Sequence, residues 1–375
     1  MMEEEKLFEF EELPEEIIKK PYEYICNFAE TLYPYTGGVV FEILSLVPCS
    51  LLVEDTPYLS KKEKTNMNVL LLTFAGGAKS SLAKQFAKFT YSPIEGRSYT
   101  PAELENQTIK NSRDGKKFTL IIEDYATMSS DERINKIIEG ILGEEQIIDR
   151  HTTKKDIREH VEAVGFLCGI PADLSDRITS GVLSRVLCIL VVHDDEEHSK
   201  IGKYISENIG KDSGYPTREK IIKSYYQILK DIMEGNNNNF PKVNSVYMPE
   251  ELKSQIYEVW NEKTSKYRKF GKFNYFRELH DGFRILINHC ILNYFNRKRE
   301  GDRLVAIQED CDVAIKILKR SLKTKFDIML SETMGRSIRS AKQLMELTNN
   351  KKISDKVKYL ISVYAKSKTS RGNMR

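Results

Sequence analysis

A lysine and a serine, Lys79-Ser80, follow the small-residue turn Ala75-Gly76-Gly77-Ala78 and open a helical pattern, and the apolar run Val69–Leu72 precedes the turn. A strand, a glycine-containing turn and a helix opening on Lys-Ser together form a phosphate cradle, or P-loop. Backbone N–H groups of the turn and the positive helix end face anionic oxygens; the lysine reaches the β- and γ-phosphates and the serine hydroxyl the Mg²⁺. The candidate nucleotide-binding set is Gly76, Gly77, Ala78, Lys79, Ser80 and Ser81. The consensus has glycine at the first position and just before the lysine, where this chain has Thr73 and Ala78. A Cβ strains a positive φ, so the sequence places the bend earlier, at Gly76 and Gly77. A buried strand–turn–helix with a chance Lys-Ser is the competing reading.

The second candidate group is the acidic pair Glu123-Asp124, at the end of the apolar run Phe118–Tyr125, FTLIIEDY. Two carboxylates closing a buried strand have the form of a Walker B segment, facing the metal and the attacking water. Glu123 is then the partner of Ser80 on Mg²⁺, and Asp124 the group that orients or deprotonates the water. Plain solvation of a strand end is the alternative. A third group lies in Gln146–Val161, where short apolar pieces alternate with Arg150, His151, Lys154 and Lys155 as in a hairpin with a basic tip. An exposed polar loop explains the same pattern.

The elements that position these groups follow from periodicity. Val164–Pro171 and Arg185–Val192 read as further buried strands. Their alternation with helices predicts an α/β domain with a parallel sheet covered on both faces. Thr100-Pro101-Ala102-Glu103 is a capping box starting a helix to about Lys110, and Arg113-Asp114-Gly115 a turn. Ser129 or Ser130 caps a helix with Ile134, Ile137, Ile138 and Ile141 on one face, ended by Gly143. Ile43–Val53 is expected to be helical to Val47 and extended beyond Pro48. Asn236–Asn239 with Pro241 reads as a linker, and everything after it as helical, notably Tyr275–Asn296 and Glu309–Lys323. The organisation expected is an approach segment at 1–65, a nucleotide-binding domain at 66–235, a helical lid at 236–330 and a helical carboxyl-terminal region with a basic tail at 331–375.

Composition narrows the class. The chain has 375 residues, 40% hydrophobic and 30% charged. No apolar run approaches the length of a membrane span and Met1–Glu16 is acidic, so no membrane association and a cytoplasmic location are expected. A net charge of +3 does not by itself announce a nucleic-acid binder. The six cysteines form no C-x-x-C pair, which predicts buried free thiols in place of disulfides or a zinc site.

Several segments, in order, resemble the minichromosome maintenance (MCM) replicative helicases, AAA+ ATPases with an α/β nucleotide domain and a helical lid. FAGGAKSS sits at that family's P-loop, where Ala before Lys is common, and LIIEDYATMSSDER at its Walker B strand, loop and helix. SGVLSRVLCILVVHDDEEHSKIGKYI resembles its arginine-finger motif, FRELHDGFRILINHC its lid helix and QEDCDVAIKILKRSL its closing helix. The resemblance runs over roughly residues 25–325. It implies ATP and Mg²⁺ as ligands, a homo-oligomeric ring, most simply a hexamer, and DNA as the substrate, with helicase activity as its extension and a replication protein as a further partner. It implies Arg185 as an arginine finger supplied to a neighbour's nucleotide and Arg277, with Arg284 nearby, as the lid's phosphate sensor. Arg150, Lys154 and Lys155 become DNA-phosphate contacts in a central pore. The chain departs from the family in lacking its amino-terminal DNA-binding region, in Thr73, in the reversed order Glu123-Asp124, and in Ile170 at the polar sensor position. These departures raise an alternative, a degenerate AAA+ scaffold or DNA-replication recruitment factor without turnover.

Overall fold

The apolar run before the Lys79 turn and the run before Glu123 become strands of one sheet, with a third strand between them. The computed structural model describes residues 7–53, 55–58, 61–73, 77–96, 99–129, 131–143, 145–151, 156–170, 180–193, 195–208, 215–265 and 276–337, with Lys358 and Ile361. Helices α1 (Glu15–Lys19), α2 (Pro21–Leu32) and α3 (Gly37–Leu44) precede a two-stranded ladder, β1 (Asp55–Tyr58) with β2 (Lys61–Lys64). Then come β3 (Val69–Thr73), α4 (Lys79–Ala87), β4 (Pro93–Gly96), α5 (Pro101–Arg113), β5 (Phe118–Ile122), α6 (Tyr125–Met128) and α7 (Glu132–Ile141). The hairpin β6 (Ile147–His151) and β7 (Asp156–His160) leads to β8 (Ala163–Gly169), α8 (Ser180–Leu183), β9 (Leu187–Val191) and α9 (Asp195–Asn208). Helices α10 (Tyr215–Glu234), α11 (Glu250–Ser265), α12 (Phe276–Leu292) and α13 (Gln308–Ser337) follow. Among them lies a small sheet of β10 (Ser245–Tyr247), β11 (Arg299–Glu300) and β12 (Arg303–Val305).

The main sheet is five-stranded and parallel, in the order β4-β5-β8-β3-β9. Every residue of β3, β5, β8 and β9 is buried, as a parallel sheet with two covered faces requires. Side chains alternate across it: Val69 and Leu71 join one core, Leu70 and Leu72 the other. The first core runs from α2 and α3, across the sheet, to α10, α11, α12 and α13, so residues on both sides of Asn236 share it. From β3 the chain runs out to the edge strand β4, then crosses back to β9 on the other side. That reversal favours a ligand crevice at the carboxyl ends of the strands.

Local expectations fare unevenly. Thr100 caps α5 as expected: its hydroxyl accepts from Glu103 N at 3.3 Å, and Glu103 Oε2 accepts from Thr100 N at 2.9 Å. Gly115 takes φ +64 in the following turn. Asp131, not a serine, caps α7, because its carboxylate reaches two donors, Arg133 N at 2.8 Å and Ile134 N at 3.4 Å. The run after Pro48 forms a 3-10 turn, Pro48–Leu51, and not an extended piece; all four of its residues are buried. Strand β4 gave no signal, with only Ile94 of its four residues buried. The region after Asn236 is not wholly helical, since β10 and β12 pair residues 58 apart in sequence and no local pattern announces such pairing. All six cysteines are free. Among the described residues no helix is long and apolar enough to cross a membrane.

Candidate functional site

At the carboxyl edge of the sheet, β3 ends on Thr73 and the chain returns at Gly77 to start α4. A Cβ on Gly77 would lie 2.0 Å from Thr73 Oγ1, so only glycine allows the turn to fold back this tightly onto the strand. The next residue corrects the expectation about the bend: Ala78 itself takes the left-handed conformation, φ 57 and ψ 10, as the residue before the helix. Such a conformation costs a non-glycine residue about 1–2 kcal/mol, and strain of this kind gathers at functional turns. Leu82 N donates to Ala78 O at 2.8 Å to begin the helix. The N–H groups of Lys79, Ser80 and Ser81 therefore fall in the first turn, where a helix has no acceptor of its own to offer them. Lys79 and Ser80 are half-buried and Ser81 is exposed. Gly76 lies outside the described residues. The Thr73 hydroxyl is buried without a hydrogen-bond partner.

The acidic pair reaches the same edge. Glu123 and Asp124 follow β5 directly; Glu123 N donates to Gly96 O at 3.1 Å, extending the ladder by one bond. Asp124 stands at the start of α6, with Oδ2 accepting from Thr127 Oγ1 at 2.9 Å and Oδ1 buried without a partner. Tyr125, fully buried, fixes the exit direction by donating to Asn135 Oδ1 at 2.9 Å. Cys168, near the end of β8 between the two loops, registers both charges. Burial raises its thiol, the Glu123 carboxylate raises it further, and the Lys79 ammonium lowers it. Lys79 and Glu123 thus flank one strand end, although they are 44 residues apart in sequence.

Beside the turn opens a cleft of about 170 Å³, room for roughly a dozen waters. Its walls are Leu32, Tyr33, Pro34 and Thr36 on one side and His193, His198, Ile201 and Ile205 on the other, with Gly77 and Ala78 at the base. Tyr33 OH donates to Ser81 O at 3.3 Å, tying the wall to α4. The Thr36 hydroxyl and His193 Nε2 hydrogen-bond at 2.8 Å, and His193 Nδ1 lies 3.3 Å from Glu197 Oε2. Tyr204 OH and Tyr215 OH both donate to Thr31 O, at 2.9 and 3.2 Å, holding the two walls together. Apart from Gly77 and Ala78 at its base, the cleft has no residue that the sequence singles out, because its walls come from segments some 160 residues apart.

The opposite, amino edge gathers three arginines. Arg185 follows α8 and donates to Gly181 O at 2.7 Å, with Glu139 Oε2 4.0 Å away. Arg277 donates to Ser184 Oγ at 2.9 Å, and Arg284 to Asp281 Oδ1 at 3.4 Å. Arg185, Arg277 and Arg284 line a crevice of about 20 Å³ with Asn66, Asn68 and Ser184, room for a single water. Asn68 assembles this edge. Its side chain donates to Leu142 O at 3.3 Å and Arg185 O at 3.1 Å and accepts from Gly165 N at 2.9 Å, while its carbonyl accepts from Leu187 N at 2.7 Å. Behind the cluster, Glu278 and Lys325, each with a 3% exposed side chain, pair through both carboxylate oxygens at 2.7 Å. Burial pushes the Glu278 carboxyl up to about 7, against the pull of Lys325. Burial also works against the Lys325 ammonium, yet the Glu278 and Asp281 charges hold it above the usual lysine range.

Five residues of β3 separate the two edges, about 16 Å at the rise of a strand. The structure therefore brings Arg277 to Arg185, and brings neither to the Lys79 turn of the same chain; a sensor acting on that turn in cis does not fit. Arg150 lies on β6, so the expected hairpin is present; its tip residues Lys154 and Lys155 lie outside the described residues. Among the described residues no cluster of His, Cys, Asp and Glu could by itself hold a metal. Neither protein-family models nor curated proteins match this chain.

Proposed function

We propose that the carboxyl edge binds a nucleoside triphosphate, ATP, with Mg²⁺. The phosphates rest on the N–H groups from Gly77 to Ser81 with Lys79 over them, Ser80 and Glu123 hold the metal, and the base enters the cleft between Tyr33 and Ile205. One observation carries this reading: the left-handed turn at Ala78 is also the floor of that cleft, so an anion site and an apolar slot share one wall. The buried, unbonded Thr73 hydroxyl and Asp124 Oδ1 fit it, since each awaits a polar partner that the protein does not provide. Mg²⁺ would neutralise charge on the phosphates. Asp124 orients the water, and Thr127 holds the carboxylate in place.

On this reading the arginine cluster serves a different nucleotide. Arg185 and Arg277 lie too far from Lys79 of their own chain and act together on the ATP of a neighbouring copy. The assembly is a closed ring, in keeping with the MCM-like order of motifs, and the β6–β7 hairpin carries Arg150 toward DNA for translocation or unwinding. The second reading, a nucleotide-binding scaffold or recruitment factor without turnover, is favoured by Ile170. An aliphatic side chain after β8 offers nothing to hold a water or a γ-phosphate.

Calorimetry with a non-hydrolysable ATP analogue and Mg²⁺ tests the shared core of both readings. Wild-type protein binds with one site per chain, and Lys79→Ala loses that binding. Absence of heat with the wild type removes both.

A further inference from the structure

The helix that carries two of the three arginines also carries two buried acids. Along α12 the order is Arg277, Glu278, Asp281, Arg284, so the two carboxylates stand one turn apart on one face. Glu278 is 2% and Asp281 6% exposed. Lys325 of α13 holds Glu278 by both oxygens, whereas Asp281 accepts a long bond from Arg284 Nη1 at 3.4 Å and its Oδ2 is buried without a partner. Cys188 of β9 lies at the same spot. Burial pushes its thiol up to about 12, with Lys325 pulling down and Glu278 and Asp281 pushing up, so it stays neutral near pH 7. Helix α11 brings an uncharged side chain: a Cβ on Gly282 would lie 2.7 Å from Ile256 Cγ2. His280, two residues from Glu278, does not share its face of the helix.

A crevice of about 20 Å³ does not admit a phosphate. To meet one, Arg277 and Arg284 must turn out of their bonds to Ser184 and Asp281. Both acids then lose a cation at once. Burial raises the Glu278 carboxyl, and Lys325 and Arg277 hold it down; Arg284 is the donor to Asp281. Lys325 is left facing two buried carboxylates, and a buried charge deprived of its partner is costly. The arriving anion adds negative charge and favours protonation further. We infer that Glu278 and Asp281 are positioning residues that couple the arginines' grip on a phosphate to the uptake of one proton. The proton comes from solvent and bonds to a carboxylate oxygen of Glu278; no other covalent bond forms or breaks. The new O–H faces a ready acceptor in Asp281 Oδ2. Ionised, the two acids draw the arginines back into the crevice; once protonated, they release them. With Glu278 raised by burial to about 7, the exchange falls near neutral pH. The inference rests on the reading that the cluster acts on a neighbouring copy's phosphate, and adds how that grip is regulated.

Sulfate is the probe, because it carries the double charge of a phosphate and does not itself titrate near neutral pH. Full-length Lys79→Ala protein, which lacks the ammonium of the other edge, is titrated calorimetrically with sodium sulfate at constant ionic strength, in two buffers of different ionisation enthalpy. The expected result is binding that Arg277→Ala/Arg284→Ala abolishes, with net proton uptake at about pH 8. A carboxyl whose pKa rises on binding holds its proton to higher pH in the complex, so affinity is gained as pH falls. A rise of about one unit makes sulfate roughly tenfold tighter at about pH 6.5 than at about pH 9. Glu278→Gln cannot take the proton and should flatten that profile. Glu278→Gln/Lys325→Met, which removes both buried charges, should do the same where the single variant does not fold. Arginine-dependent binding without proton uptake overturns the inference and leaves the phosphate reading of the arginines standing. An unchanged pH profile in Glu278→Gln/Lys325→Met also overturns it, by placing the proton elsewhere. Absence of arginine-dependent binding removes the inference and the anion role of the cluster together.

Discussion

At the carboxyl edge of the sheet charged groups border open space; at the amino edge they fill it. Lys79, Glu123 and Asp124 stand around a turn with a cleft of about 170 Å³ beside it. Arg185, Arg277 and Arg284 close on about 20 Å³, braced by Ser184, Gly181 and Asp281. The same strands build both edges, so the sheet alone does not cause the difference. At the carboxyl edge the cleft is walled by the end of α2 and the residues after it on one side and by α9 on the other. The amino edge is drawn together by Asn68, whose amide bonds reach α7, β8 and the start of β9. On the proposed reading, the first edge takes the nucleotide and the second acts on the nucleotide of a neighbouring copy.

Three substitutions test that contrast. The largest effect belongs to Arg185→Ala. It should leave ATP affinity of the isolated chain unchanged, yet lower turnover in the assembly by about 10³–10⁵. Mixing Arg185→Ala with Lys79→Ala chains should restore part of the rate, since each supplies what the other lacks. Full turnover by the dilute Arg185→Ala monomer would show that the amino edge has no role in catalysis.

Lys325→Met comes next. It leaves Glu278 buried without its partner and should destabilise the fold by ~3–5 kcal/mol in urea melts at pH 8. The sign with pH is fixed by the raised Glu278 carboxyl. A folded-state value of about 7, above the ordinary 4.5, favours the protonated folded form, and this contribution is lost as pH rises between those values. Without the lysine the carboxyl titrates higher still, so the loss should shrink as the melt is repeated at lower pH. A loss independent of pH would mean that Glu278 is not the group left exposed to burial. Nucleotide binding at the far edge should survive wherever the variant is folded, and its disappearance would couple the two ends.

The smallest effect is expected at the turn itself. Ala78→Gly relieves a left-handed alanine but loosens the unfolded chain, for a net gain of about 0.5–1 kcal/mol. Destabilisation instead would mean that the left-handed turn is not held in solution.

The Lys-Ser helix start, the buried strands, the capping box at Thr100 and the acidic pair after β5 were all legible in the sequence. Each is a local pattern, set by neighbours within a turn or by a periodicity of two or 3.6. Some local signals mislead for equally local reasons: Ser129 and Ser130 resemble an α7 cap where Asp131 offers a stronger acceptor, and Gly77 suggests a bend where Ala78 takes the positive φ. The short edge strand β4 and the β10–β12 pairing left no periodic trace.

What the residues alone determined is the inventory: a P-loop-like turn, a carboxylate pair, scattered arginines and a chain that alternates strand and helix. Which of these share a site was decided by the strand order, which sets Lys79 next to Glu123 at one end and Arg277 next to Arg185 at the other. Hydrogen-bonded turns extend over a few residues, so sequence specifies them; the meeting of side chains separated by 40 to 160 residues follows only from how the sheet closes and what packs on it.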